Sequence, residues 1–342
     1  MKNKIQTSNE LIGETGGSIR PNFLGEHPIV TGKYKIKTSV VEEVINKIDE
    51  AIRFRVQGLI IYGPSGYGKS TAVEIIKNEI CEKYNNEILA FISTMPDPIK
   101  NSNVFYSRLL KATGHDLYNK GSVQDKSDRL CSQLVSLALE ENRNKKILLF
   151  IDEADALDKT DFQCLKDINN QLDLEKIGMT TILIGTEDLI SQRNLFSGKK
   201  ETQIIRRFME KTYVFNGIKS KNELQDVLAA YDFCMKYPGD SDWSFTKYYF
   251  PEAFENGMYL SHVTQDLYKC ICNTYGDKIF KSHGLSMNHL CKIVEYLFLK
   301  YGTDGAGENW ITSEMIAKSV EFRDCNHEQD LLDACASGKT RR

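Results

Sequence analysis

The chain has 342 residues, 41 % of them hydrophobic, and its 44 Lys and Arg against 47 Asp and Glu leave a net charge of −3. That size and apolar content suit one large domain or two modest ones, and the charge balance excludes global attraction to nucleic acid, so any DNA contact must use a local basic surface. No run approaches the roughly 18 uninterrupted apolar residues that span a bilayer, and the start MKNKIQTSNELIGETGG has no apolar signal core, so the expectation is a cytoplasmic protein without membrane contact.

Residues 1–25 are polar, Gly- and Ser-containing and without period, and read as a flexible N-terminal arm. Val40 to Phe54 then places apolar residues at helical spacing, and GLIIY (58–62) follows as a short buried strand. Downstream, TAVEIIKNEICEKY (71–84) reads as a helix. Further strands are expected at Ile88 to Ser93, Lys146 to Glu153, Thr180 to Gly185 and Thr212 to Phe215, with helical segments between them. Short apolar runs alternating with helices mean an α/β core with a parallel sheet covered on both faces. After Gly217 the segments 219–237, 262–276, 287–302 and 312–322 all carry helical spacing, so a second, all-helical domain is expected at 218–322, with a polar basic tail at 323–342.

Nine cysteines are scattered along the chain and read as reduced, mostly buried thiols. The closest pair, Cys270 and Cys272, has His262, His283, His289 and Cys291 nearby in sequence. On a helix, positions i and i+2 diverge, which argues against a shared zinc ion.

Chemistry concentrates in four places. Gly63, Pro64, Ser65, Gly66, Tyr67, Gly68, Lys69 and Ser70, followed by Thr71, match G-x-x-x-x-G-K-[ST] in full between a strand and a helix. Glycines there let backbone N–H groups wrap phosphates at the positive end of the helix, while Lys69 supplies charge to the β- and γ-phosphates and Ser70 a hydroxyl to Mg²⁺. An empty glycine-rich turn is the bland alternative, and the strand and helix flanks argue against it.

The second place is ILLFIDEADAL, where an apolar strand ends in Asp152 and Glu153. Alone such a pair is an ordinary loop start; coupled to the upstream loop, Asp152 is the expected Mg²⁺ residue and Glu153 the group that polarises an attacking water. The string DEAD at 152–155 is not read as an RNA helicase, because only about 190 residues follow and their pattern is helical, not that of a second recombinase-like lobe. Third, Thr186 at the tip of the following strand is a candidate to touch the γ-phosphate or the lytic water, against a simple strand-ending turn. Fourth, Arg206 and Arg207 lie near a helix end just before the last strand, and either is a candidate to reach the γ-phosphate of a neighbouring subunit, against a surface arginine pair.

In that order and spacing, GPSGYGKST, ILLFIDE, TILIGT and RRF before a strand resemble the initiator-like branch of the AAA+ superfamily over roughly residues 25 to 300. Within it the chain looks most like the TnsC/TniB ATPases that regulate transposition, on the single module, the HPIVTGKY leader, the GPSGYGKST loop and the short tails. The resemblance implies a P-loop core at 26–217 with a five-stranded parallel sheet of order 5-1-4-3-2, then a small helical lid. It implies ATP and Mg²⁺ as cofactors, Gly63 to Thr71 on the nucleotide, Ser70 and Asp152 on the metal, Glu153 catalytic, and Thr186 and Arg207 as sensor and finger. The implied function is ATP-dependent assembly as a ring or filament on duplex DNA, with a TniQ-like target-selection protein at one face, transposase subunits at the other, and hydrolysis as the disassembly timer. Origin-recognition, IstB and DnaC-like ATPases share the motifs, so a loader or remodeller of a replication protein is the alternative, and a signalling switch that never meets DNA is a third reading.

In filament-forming members, loops after the second strand contact DNA, which makes Lys100, Arg108, Lys111, Lys120, Lys126 and Arg129 candidates for phosphate contact. One departure is plain: the stretch GMYLSHVTQDLYKC carries no Arg for a second sensor, which puts lid-coupled sensing in doubt.

Overall fold

The computed structural model describes residues 20–22, 24–97 and 101–324. Most of the expected N-terminal arm and C-terminal tail, and Lys100, lie outside the described residues.

Two compact units emerge. The first comprises Lys37–Ile218 and His283–Asn288. In chain order it holds α1 (Ser39–Arg53), β1 (Gly58–Tyr62), α2 (Lys69–Lys83), β2 (Leu89–Thr94), α3 (Ser102–Ala112) and α4 (Val123–Ala138). These are followed by β3 (Lys146–Asp152), α5 (Lys159–Leu174), β4 (Gly178–Gly185), α6 (Asp188–Gly198) and β5 (Lys211–Val214). The strands pair in parallel in the order β2-β3-β4-β1-β5, which is the expected 5-1-4-3-2 sheet read from its other edge.

Strand periodicity explains the layers. Successive side chains point to opposite faces, and both faces are apolar. Ile60, Leu149, Ile151 and Leu183 meet Phe105 and Leu109 of α3, Leu130 and Leu134 of α4, and Phe162 and Leu165 of α5 on one face. Leu59, Ile61, Leu148, Phe150, Ile182 and Ile184 meet Val44, Ile48 and Ile52 of α1 and Val73, Ile76 and Ile80 of α2 on the other. Each fully buried aliphatic side chain such as Ile48, Ile60 or Ile182 contributes roughly 1.5–3 kcal/mol of burial energy. The flanking helices start where polar caps allow. Thr38 accepts from the Val41 N–H, and Ser122 with Asp125, and Asp158 with Asp161, form reciprocal capping boxes. The Asp161 carboxyl is buried in doing so, which pushes its pKa up to about 6.

The second unit gathers the described residues up to Ile36 with 219–282 and 289–324. The expected boundary at 217/218 therefore shifts by one residue, the leader segment up to Ile36 groups with the helices, and 283–288 groups with the sheet. Its longer elements are α7 (Lys221–Ala229), α8 (Thr264–Tyr275), α9 (Met287–Tyr301, whose first two residues belong to the sheet unit) and α10 (Ser313–Asp324). Among its described residues, extended pairing is confined to one isolated bridge, Lys236 with Ser244. The leader is pinned by His27, fully buried among the rings of Tyr237, Phe245, Tyr248 and Tyr249, where desolvation lowers its pKa to about 4. Arg20 stacks on Tyr248 at 4.1 Å and pairs with Asp304.

Cys270 and Cys272 do lie two residues apart on α8. The seven described cysteines are free, but only Cys131 and Cys164 are buried, which corrects the expectation of mostly buried thiols. Among the described residues no group of His, Cys, Asp and Glu is placed to hold a metal ion, and no helix is long and apolar enough to cross a membrane.

Candidate functional site

Ligands of open parallel sheets bind beyond the carboxyl ends of the strands, and three adjacent strands bring their predicted groups there. Gly63 follows β1, Asp152 ends β3, and Thr186 follows β4, which lies between them. At ~4.8 Å between neighbouring strands, the β1 and β3 tips stand about 10 Å apart. The Gly63 N–H donates to the Gly185 carbonyl at 3.2 Å, locking two of these tips together.

The phosphate loop follows from its glycines. Gly66 and Gly68 sit at φ 77° and 89°, a region costly for a residue with a Cβ. At Gly63 a Cβ would lie 2.3 Å from the Phe215 carbonyl oxygen, so this position admits no side chain. Gly68 caps α2 without a side-chain hydrogen bond, so the first N–H groups of a 15-residue helix have no side-chain cap. Ser65, Gly66, Ser70 and Thr71 are exposed around this cradle. The Lys69 ammonium donates to the carbonyls of Gly63 and Pro64, both at 2.7 Å. Burial lowers its pKa, and the carboxylates of Asp155, Asp152 and Glu187 oppose that shift. Tyr67 is half-buried, and its hydroxyl donates to the Gly284 carbonyl at 3.0 Å. Residues 283–288 return to the sheet unit there, pairing Ile218 with Leu285 and bringing Met287 within 3.8 Å of where a Cβ on Gly68 would stand.

On β3, Asp152 is buried and accepts the Glu153 N–H at 3.1 Å, while Glu153 is exposed. Glu153 adopts φ 56°, ψ 40°, a left-handed conformation that costs a non-glycine residue about 1–3 kcal/mol and is characteristic of functional turns. The turn separates the two acids: Asp152 is buried, whereas Glu153 is open to solvent.

Sequence reasoning missed Asp155. Its carboxylate accepts the Thr186 N–H at 3.1 Å on both oxygens and the Thr186 hydroxyl at 3.3 Å. The signal was present as the last acid of the DEAD string, one short turn beyond Asp152. The role of 283–288 left no comparable sequence signal, because it depends on a backbone bridge between residues some 65 positions apart.

Arg206 and Arg207 are not brought to this site. They occupy a π-helical turn, Ile205–Met209, at the start of β5. Beside them is the start of β1, where a Cβ on Gly58 would lie 2.7 Å from the Phe208 Cα and 3.0 Å from the Arg207 carbonyl oxygen. Five residues of β1 separate that level from the phosphate loop, about 16 Å at ~3.3 Å per residue. Arg207 donates to the Asn170 side chain at 2.9 Å and, with Lys166 and Lys200, lines a polar cavity of about 300 Å³.

The basic candidates divide. Lys111 and Lys120 are exposed; Arg108 bonds the Asp97 carbonyl, and Arg129 the carbonyls of Leu117 and Lys120, with each guanidinium partly accessible. Lys126 is a correction: only 3 % exposed, it donates to Asn103 and Ser107 across the α3–α4 pair. Its charge is used inside the helical layer and is not offered to a phosphate.

Comparison with known proteins accords with this geometry. The AAA domain family matches residues 52–192, less than half of the chain. Among solved structures the chain is similar to the ORC2 protein of Aeropyrum pernix in ADPNP–ADP complexes, at TM-score 0.54 and 13 % identity, covering 82 % of this chain and 66 % of that one. It is also similar to the ORC1 protein of Aeropyrum pernix in complex with DNA, at TM-score 0.52 and 13 % identity, covering 85 % and 68 %. No curated protein matches the sequence. The chain thus spans about two thirds of the length of these structural neighbours, and the shared feature is the fold, which is that of an AAA+ module.

Proposed function

We propose that this chain is an AAA+ ATPase that uses ATP to gate its own assembly on duplex DNA, as a regulator of DNA transposition. The observation that carries the ATPase reading is the convergence of Gly63–Thr71, Asp152, Glu153 and Thr186 at the carboxyl ends of three adjacent strands. The cradle suits ATP: uncapped N–H groups and Lys69 meet phosphate oxygens, and the oxygen donors Ser70 and Asp152 suit Mg²⁺. When bound, Mg²⁺ neutralises charge on the β- and γ-phosphates. Glu153, lifted outward by its turn, is the group that polarises the attacking water and takes its proton.

The position of Arg206 and Arg207, away from the phosphate loop of their own chain, supports a finger that acts on a neighbouring copy and therefore an oligomer with head-to-tail contacts. DNA binding is supported by exposed Lys111 and Lys120 with Arg108 and Arg129, and by the DNA complex of a structural neighbour. Transposition as the process, with transposase subunits and a TniQ-like selector as partners, rests on the TnsC/TniB resemblance of the loop and leader. A loader of a replication protein is the second reading, favoured by the origin-protein neighbours.

The test is Glu153→Gln. Turnover falls about 10²- to 10⁴-fold, ATP binding persists, and electron microscopy shows long-lived assemblies on duplex DNA. Monomers in the presence of ATP and DNA contradict assembly gating. Turnover stimulated by a replication client, without assemblies on bare duplex, selects the loader.

A further inference from the structure

The hydrogen bonds at the tip of β4 restrict what Thr186 offers. A hydroxyl has one hydrogen and two lone pairs. The Thr186 hydrogen is directed to the Asp155 carboxylate, 3.3 Å away, and the Asp188 N–H donates to Thr186 Oγ1 at 3.3 Å. One lone pair remains. The arrangement is held firmly, because the Thr186 N–H bonds both Asp155 oxygens and a Cβ on Gly185 would lie only 2.5 Å from that carboxylate. Asp155 is also foremost among the carboxylates that sustain the charge of Lys69, so it belongs to the same electrostatic cluster.

A γ-phosphate presents only acceptors, whereas a water presents hydrogens. A hydroxyl left with a lone pair serves the water and not the phosphate. We infer that Asp155 is a positioning residue that fixes the polarity of Thr186, so that Thr186 orients the attacking water by accepting its hydrogen. This inference rests on the ATPase reading above. It assigns the Asp155–Thr186 pair to the chemical step, with little part in holding nucleotide.

The experiment compares Asp155→Asn, Thr186→Val, Thr186→Ser and the double variant Asp155→Asn with Thr186→Val. Single-turnover ATP hydrolysis, affinity for a non-hydrolysable ATP analogue and thermal midpoint are measured on the full chain. Asp155→Asn retains one acceptor oxygen and replaces the other with an amide donor, so the Thr186 N–H loses one of its two acceptors and the hold on the hydroxyl is weakened. The expected result is a fall in the chemical rate on the order of 10²-fold for Asp155→Asn and for Thr186→Val, with analogue affinity within about twofold. Thr186→Ser retains most of the rate, and the double variant is no slower than either single one, because both remove one hydrogen bond. Loss of analogue affinity with an unchanged rate overturns the inference, as do multiplying rate losses in the double variant. If Asp155→Asn does not fold, Thr186→Val against Thr186→Ser decides, because both keep the backbone N–H that bonds Asp155 and only the first loses the hydroxyl; equal rates for the two overturn it. A wild-type chain without ATP hydrolysis refutes the ATPase reading itself, whereas active wild type, slow Glu153→Gln and fully active Asp155→Asn refute this inference alone.

Discussion

The two ends of the sheet contrast sharply. At the carboxyl ends of β1, β3 and β4, three segments distant in sequence converge: the phosphate loop, the Asp152–Glu153 turn with Asp155, and Thr186. At the amino end of β1, packed beside the start of β5, stands a pair of arginines with no phosphate loop near them. Each end alone is chemically incomplete. One carries the proposed ATP cradle with Lys69 but no arginine, and the other carries Arg206 and Arg207 but no cradle. The difference is what the proposed arrangement accounts for, in which one chain supplies two halves of different sites and assembly brings matching halves together.

Three perturbations separate the two ends. The largest effect is expected at Arg207. Arg207→Ala lowers ATP turnover about 10³-fold while equilibrium ATP binding to the isolated chain stays unchanged, as read by stopped-flow turnover beside calorimetry. Loss of binding by this variant would erase the distinction between the ends. A matched glycine pair gives a smaller, local effect. Gly63→Ala drives a methyl into the Phe215 carbonyl and weakens ATP binding, whereas Gly58→Ala drives one into Phe208 and disturbs the arginine turn, lowering turnover with binding intact. Overpacking of this kind costs about 1–3 kcal/mol, and thermal midpoints check that both variants fold.

The smallest effect concerns DNA. Neutralising exposed Lys111 or Lys120 reduces the slope of log affinity against log salt by about 0.9 for each DNA phosphate that the variant leaves without its lysine. Lys126→Met leaves that slope unchanged and lowers stability, because its ammonium is hydrogen-bonded to Asn103 and Ser107.

The sequence made much of this legible. The phosphate loop can be read because its glycines are required by backbone geometry, and β3 because a run buried on both faces must end at a polar residue. Sheet order came with the family resemblance and agrees with the structure. What was hidden depends on contacts between distant segments. The burial of Lys126 is decided by Asn103 and Ser107, one helix earlier. Asp155 looked like part of a misleading string until Thr186, 31 residues later, was seen to donate to it. Residues 283–288 fall within the expected helical domain at 218–322, and their return to the sheet is decided by Ile218 and by Tyr67, over 200 residues away.

The central claim is that ATP is hydrolysed between copies of this chain. Mixing Lys69→Ala, which keeps the arginine but loses the ATP cradle, with Arg207→Ala, which keeps the cradle but loses the arginine, tests it most directly. Each variant alone is inactive, and the account predicts that the mixture on duplex DNA regains ATP turnover where an intact cradle meets an intact arginine. A mixture as inactive as its components, or full activity of Arg207→Ala alone, would contradict it.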